Sequence, residues 1–217
     1  MINWDKIETV MLDLDGTLLD LHFDNYFWQE YLPECWGQRH DMDIDSAKAA
    51  LIPRFKSMEG TLAWYCLDYW SDELDLDVFG LKQDVEHLIK TRPYTVELLC
   101  KLNEMGKEII LVTNAQEKIL DVKLEKTGIK KYFDFIISAH ELGSPKEHSK
   151  FWELLSNTVQ FSQEKTLFID DNLTVLQTAQ DYGIRYLLSI ARPDSHLPER
   201  SPTDYFPIKD FREIFTD

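Results

Sequence analysis

The run Val10-Met11-Leu12 is apolar throughout and breaks off at Asp13-Leu14-Asp15-Gly16-Thr17. An apolar stretch of this length that ends in a polar turn has the character of a buried strand. Side chains alternate along a strand, so Asp13 and Asp15 share a side if the extended backbone runs through both. Two carboxylates this close repel, and a folded chain keeps both only with a compensating cation or a shared proton. Gly16 allows a sharp exit, because it takes backbone angles that other residues avoid. The same residues also suit a plain acidic turn, since Asp and Gly are ordinary turn formers.

Beyond Arg92 the chain becomes regular. An amphipathic helix over Tyr94 to Glu104 closes at Gly106, and the apolar strand Glu108 to Val112 ends at Thr113-Asn114. A helix carrying Ile119, Val122 and Leu124 closes at Gly128. The strand Phe133 to Ser138, the turn Gly143-Ser144-Pro145-Lys146 and a helix around Phe151 to Leu155 follow. The strand Lys165 to Ile169 ends in Asp170-Asp171-Asn172, and a helix through Val175 and Leu176 leads to a strand over Ile184 to Leu188. Strands and helices alternate without hairpin signals, and the strands are apolar on both faces. This is the pattern of a parallel sheet covered by helices on either side. The carboxyl ends of such strands line one edge, where ligands bind. Asp13, Thr113 and Asp170 therefore converge on one crevice despite their separation in sequence. The tail from Arg192 to Asp217 carries Pro193, Pro198, Pro202 and Pro207, and reads as an irregular wrap with a short last helix around Phe211 and Ile214.

Residues 20–90 differ. They contain no strand-like run, and Phe23, Tyr26, Phe27, Glu30 and Tyr31 recur at helical spacing up to Pro33. Ser46 to Leu51 reads as a capped helix start that Pro53 interrupts or kinks. Leu62, Tyr65, Cys66, Tyr69 and Trp70 repeat the helical spacing. The segment is rich in large aromatics, which fill cores and also line pockets for flat rings. The chain divides accordingly into a core of residues 1–19 and 91–217 and a helical insertion of residues 20–90.

Asp13, Asp15, Asp170 and Asp171 form an acidic cluster that offers oxygen alone. Hard oxygen ligands without Cys or His suit magnesium, which takes a few carboxylates plus phosphate and water. Asp170-Asp171 would equally serve as a helix cap. Thr113-Asn114 offers a hydroxyl and an amide where backbone N–H groups can cradle a phosphate, or an ordinary cap. Lys146 could pair with phosphate, although loop lysines are usually solvated.

In their order and local context these pieces resemble the four motifs of the haloacid dehalogenase-like phosphatases: Asp13-Leu14-Asp15-Gly16-Thr17, Thr113, Lys146 and Asp170-Asp171. The resemblance covers nearly the whole chain and implies a Rossmann-like parallel sheet flanked by helices, with residues 20–90 as an all-helical cap. It implies Asp13 as nucleophile, Asp15 as general acid and base, Thr113 and Asn114 as phosphate ligands, and Lys146 as a counter-charge. It also implies magnesium held by Asp13, the backbone oxygen of Asp15, and Asp170 or Asp171. The family often has Gly-Asp where this chain has Asp170-Asp171, which favours Asp171 as the essential ligand. The family also contains sugar-phosphate and phosphoglycolate phosphatases and phosphomutases, which are the alternative reading, and metal-free dehalogenases, which usually lack the acidic residue at the place of Asp15. A non-catalytic relative that only binds a partner is a further reading, against which the intact motifs stand.

Phe23-Asp24-Asn25-Tyr26-Phe27-Trp28, Trp64 to Trp70 and Gly143 to Glu147 are similar to the bacterial GMP/IMP 5′-nucleotidases. That likeness implies a purine nucleoside monophosphate as substrate, with Tyr26, Phe27, Trp28, Trp64 and Tyr65 as candidate base contacts. The formal net charge of −16 opposes nucleic acid polymers and anionic membranes as partners. The N-terminus lacks a signal-peptide pattern, and three unpaired cysteines, Cys35, Cys66 and Cys100, point to reduced thiols and a cytoplasmic protein.

Overall fold

The computed structural model describes residues 2–201 and 204–215, so Pro202 of the tail lies outside it. Six strands form one sheet: β1 (Thr9–Leu12), β2 (Glu108–Thr113), β3 (Phe135–Ser138), β4 (Thr166–Asp170), β5 (Tyr186–Ile190) and β6 (Phe206–Ile208). The order is β3-β2-β1-β4-β5-β6, and every pairing is parallel. The chain builds outward from β1 in both directions. The connections leaving β1 and β4 therefore diverge and leave a crevice at their carboxyl ends. Asp13 extends the ladder by one bond, donating its N–H to the Ile169 carbonyl at 3.0 Å.

The central strands are buried on both faces. Met11, Ile110, Val112 and Phe168 pack on one side against Phe151, Trp152, Val175 and Leu176. Val10, Leu12, Ile109 and Leu111 pack on the other, in a cluster that continues without a break through Leu14 and Leu18 to Phe23, Phe27, Leu51 and Trp70. The tail is less irregular than its prolines suggest, because Phe206–Ile208 joins the sheet beside β5. Pro207 is tolerated there, since an edge strand need not donate every N–H. Phe211 and Ile214 are buried in the final helical turn.

Between β1 and β2 the chain is helical: α1 (His22–Tyr26), α2 (Leu32–Arg39), α3 (Ile44–Met58), α4 (Leu67–Leu74), α5 (Val78–Asp84) and α6 (Thr95–Glu104). Pro33 does not stop the first of these. The backbone stays helical from His22 to Arg39, with a π-helical turn over Phe27–Tyr31 between α1 and α2. Pro33 cannot donate to the carbonyl four residues back, and its ring crowds that oxygen; the wider turn relieves both. Pro53 likewise sits inside an unbroken α3, where the freed carbonyl belongs to exposed Ala49. That helix starts earlier than Ser46, because Asp43 caps it by accepting the Ser46 N–H at 2.9 Å. After β2 come α7 (Glu117–Thr127), α8 (Ala139–Leu142), α9 (Ser149–Thr158) and α10 (Leu173–Tyr182). No described helix is long and apolar enough to cross a membrane.

Candidate active site

The turn after β1 is tight. Gly16 adopts φ +90°, and a Cβ there would lie 2.7 Å from the Asp171 Cγ. Glycine is thus required twice, for its backbone angle and for the close approach of a carboxylate. Gly16→Ala is expected to cost about 1–2 kcal/mol from the backbone angle alone and to displace Asp171. Urea unfolding would show the first effect and calorimetric titration with magnesium the second. Unchanged cation affinity would contradict this account of the Gly16–Asp171 contact.

Asp13, Asp170 and Asp171 are all buried, and one oxygen from each lies within 4.8 Å of the others. Lys146, itself buried, donates to Asp13 Oδ1 and Asp170 Oδ2 at 2.6 Å each and to the Val112 carbonyl at 3.2 Å. The Trp152 indole fixes the Lys146 backbone, donating to its carbonyl at 3.1 Å. Burial, with repulsion from Asp170 and Asp15, pushes the Asp13 carboxyl up to about 7 despite Lys146. Burial and repulsion from Asp171 raise Asp170 to about 6; burial and repulsion from Asp13 raise Asp171 to about 7. One lysine does not neutralise three buried carboxylates. Asp13 Oδ2 is buried and without a hydrogen-bond partner. This set fits a small divalent cation: three hard oxygens close together, one of them orphaned, and a surplus of negative charge. The Asp15 side chain is not one of the three.

Thr113 and Asn114 lie at the end of β2, both buried. The Thr113 hydroxyl caps the turn by accepting the Ala115 N–H at 3.0 Å. Asn114 accepts the Lys146 N–H at 3.0 Å and donates to Glu147 Oε2 at 3.0 Å. Glu147 also accepts from the Tyr65 hydroxyl at 2.5 Å and from the Asn172 amide at 3.3 Å. It joins the helical insert to the ends of β2 and β4, a role that the likeness of Gly143 to Glu147 does not reveal.

The Asp15 carboxylate has a separate environment. Lys123 of α7 donates to Asp15 Oδ1 at 2.6 Å and to Asp24 Oδ2 at 2.8 Å, and Lys82 of α5 donates to Asp24 Oδ1 at 2.5 Å. Both lysines are buried. Burial opposes the Asp24 charge, but the two ammonium groups outweigh it and hold the carboxyl well below its ordinary value. Burial likewise opposes the Lys123 charge and is outweighed by Asp15 and Asp24, which hold it above its ordinary value. Lys123 occupies an inward position of α7 beside Ile119, Leu120 and Leu124, and that placement is its only sequence signal.

The two carboxylate–lysine clusters, Thr113 and Asn114 all line one cavity of about 830 Å³. Part of its lining is aromatic: Trp28, Phe55 and Trp64 line it, with ring centroids 5.1–5.9 Å apart. Tyr65 also lines it. Tyr26 and Phe27 are not among the lining residues. Phe27 is fully buried in the core, and Tyr26 packs beside Tyr31 and His22, whereas Leu21, Asp24, Asn25 and Trp28 share the helix face toward the cavity. Arg200, from the tail that showed no chemical signal, lines the cavity and bonds both the Asp171 carbonyl and its Oδ2, the latter at 3.1 Å.

A family model for haloacid dehalogenase-like hydrolases matches residues 7–183. The protein named GMP/IMP nucleotidase YrfG, from Escherichia coli (strain K12), is 39% identical over 213 residues, covering 98% of this chain and 96% of the relative. Haloacetate dehalogenase H-2 from Moraxella sp. (strain B) is 22% identical, covering 82% of this chain and 83% of its own. The crystal structure of a HAD phosphatase from Thermococcus onnurineus superposes with a TM-score of 0.76 over 96% of each chain at 20% identity, a likeness of fold.

Proposed function

The chain belongs to the haloacid dehalogenase-like hydrolases, and we propose that it is a magnesium-dependent, cytoplasmic 5′-nucleotidase acting on purine nucleoside monophosphates such as GMP and IMP. One observation carries the reading: a single cavity is lined both by the carboxylate–lysine cluster and by the Trp28–Phe55–Trp64 rings. A phosphate ester of a flat base suits both sets of groups, since bases stack on aromatic faces. The 39% identity to the Escherichia coli relative supports the same substrate class. The helical insert then acts as the cap over the reaction centre, closing off water.

In this reading Asp13 attacks phosphorus. A bond forms between a carboxylate oxygen and phosphorus while the phosphorus–ester bond breaks, and its electron pair goes to the nucleoside 5′-oxygen. Asp15 gives that oxygen its proton, and the nucleoside leaves. Asp15 then takes a proton from water, the water oxygen bonds to phosphorus, and the electron pair of the acyl phosphate returns to Asp13. Thr113 and Asn114 hold the transferring phosphoryl group, and Lys146 offsets its charge. Asp13, Asp170 and Asp171 would hold magnesium, which would supply charge neutralisation for the transferring phosphoryl group. Lys146 and Arg200 offset part of the carboxylate charge at the reaction centre, and a bound cation would offset the rest, so a small anion could enter where a chain of net charge −16 repels a polyanionic partner.

Phosphate release from IMP and GMP in magnesium is expected to exceed that from phosphoglycolate and glucose phosphates by at least about tenfold in kcat/KM. The rings contribute on the order of 1–3 kcal/mol of stacking. Trp28→Leu and Trp64→Leu are expected to erase most of that preference. Equal rates across the panel would discard the nucleotidase reading and keep the phosphatase chemistry.

Magnesium should also stabilise the fold in a pH-dependent way. Asp13, Asp170 and Asp171 carry folded values raised to about 7, 6 and 7 from an unfolded 3.8. Raised carboxyl values mean that the native state holds protons the unfolded chain has lost, so the metal-free fold loses stability as the pH climbs from about 4 through 7. A cation removes that penalty. The rise in Tm on adding magnesium is therefore expected to be larger at pH 8 than at pH 5. An equal shift at both would show that these carboxylates do not hold the ion.

A further inference from the structure

The Asp15–Lys123–Asp24–Lys82 chain of contacts is not required by the motif chemistry. It alternates negative and positive groups, links the loop after β1 to α1, α5 and α7, and is closed at each link by a bond of 2.5–2.8 Å. Lys123 and Lys82 are only 1% and 2% exposed. Burying two lysines is costly unless their partners are fixed, so the four side chains hold one arrangement. Lys123 binds Oδ1 of Asp15 alone, which leaves Oδ2 for proton exchange in the cavity that Asp15 lines. Lys82 also lies 4.9 Å from the centroids of Phe23 and Phe27 and 5.5 Å from that of Trp28. The contacts thus run from the acid–base carboxylate to an aromatic wall of the cavity, and the link between core and insert is Lys123 to Asp24.

We propose that Lys123 is a positioning residue for proton transfer by Asp15, and that Asp24 and Lys82 of the helical insert hold Lys123 in place, so that Asp15 is in register only while the insert is docked. This rests on the reading of Asp15 as acid and base. Without Lys123 the Asp15 carboxylate loses its fixed rotamer, and the steps that need its proton slow while the attack by Asp13 does not. A misplaced acid costs part of the 10²–10⁴-fold that general acid–base catalysis contributes.

The test compares IMP, whose alkoxide leaving group needs a proton, with 4-nitrophenyl phosphate, whose leaving group does not. Rapid-mixing kinetics with Lys123→Met are expected to show a burst of nitrophenolate near one equivalent, then turnover slowed about 100-fold. With IMP no burst is expected, and kcat should fall about 100-fold with KM within threefold. Lys123→Arg should restore at least a third of kcat. Asp24→Asn and Lys82→Met, which keep Lys123, should give the same signature at roughly a tenfold loss, and they decide the matter if Lys123→Met does not fold.

Asp15→Asn separates the two failures. If Asp15→Asn gives no burst with the aryl ester, the reading of Asp15 is wrong. If Asp15→Asn bursts while the Lys123 and Asp24 variants lose activity alike on both substrates without a burst, or lose nothing, the positioning role is overturned.

Discussion

Asp13→Asn is expected to lower kcat by a factor of about 10⁴ or more, the scale seen when a nucleophile is removed from a working constellation. The variant should fold. Asparagine has the shape of aspartate, and the residue is buried at the end of β1 with its N–H tied to the Ile169 carbonyl. Its amide oxygen can still accept from Lys146, as Asp13 Oδ1 does at 2.6 Å. What it lacks is the electron-rich oxygen that attacks phosphorus. The same substitution should raise the Tm of the metal-free protein at pH 8, because burial and its acidic neighbours push the Asp13 carboxyl up to about 7, and ionising it there works against the fold. Lost turnover with gained stability is the expected pair of results, read by phosphate release and by melting in EDTA. A variant that kept more than about 1% of kcat would mean that another group attacks phosphorus, against the covalent route.

Legibility in the sequence followed locality. Asp13, Thr113 and Asp170 announce themselves because each ends an apolar run, and parallel topology then brings the ends together. Lys123 is harder to find. Its partners Asp15 and Asp24 are 108 and 99 residues away, and the one local hint is a lysine on the apolar stripe of α7. Glu147 has the same difficulty, since its partners Tyr65, Asn114 and Asn172 come from three elements. Arg200 sits in a proline-marked tail, which is held near the strand ends by the pairing of β6 with β5 and by bonds such as the Arg200 N–H to the Ala191 carbonyl at 2.8 Å. Tyr26 and Phe27 fall outside the cavity for another reason. The lining residues Leu21, Asp24, Asn25, Trp28 and Gln29 recur at three-four spacing along one helix face, which Tyr26 and Phe27 do not share.

Lys146→Met is expected to destabilise the metal-free protein at pH 8 by about 3–5 kcal/mol, the cost of leaving buried charges without their partner. Lys146 holds two carboxylates at once, Asp13 and Asp170, and both are buried. Methionine matches its buried stem in length, so the loss isolates the charge. The pH dependence follows from sign. In the wild type, burial opposes the Lys146 charge but Asp13 and Asp170 outweigh it and hold its pKa above the usual 10.5. Its own ammonium charge is therefore present throughout the neutral range and is lost only as the pH climbs past 10.5 through the folded value, so any change at lower pH comes from its carboxylate partners. Without it, Asp13 and Asp170, already raised to about 7 and 6, rise further. Acidification then supplies protons in place of the lysine. The deficit in urea unfolding should shrink by more than half between pH 8 and pH 5.5, and saturating magnesium at pH 8 should recover part of it. A deficit independent of pH would mean that Lys146 stabilises the fold by packing, and that the carboxylates at the ends of β1 and β4 do not need its charge.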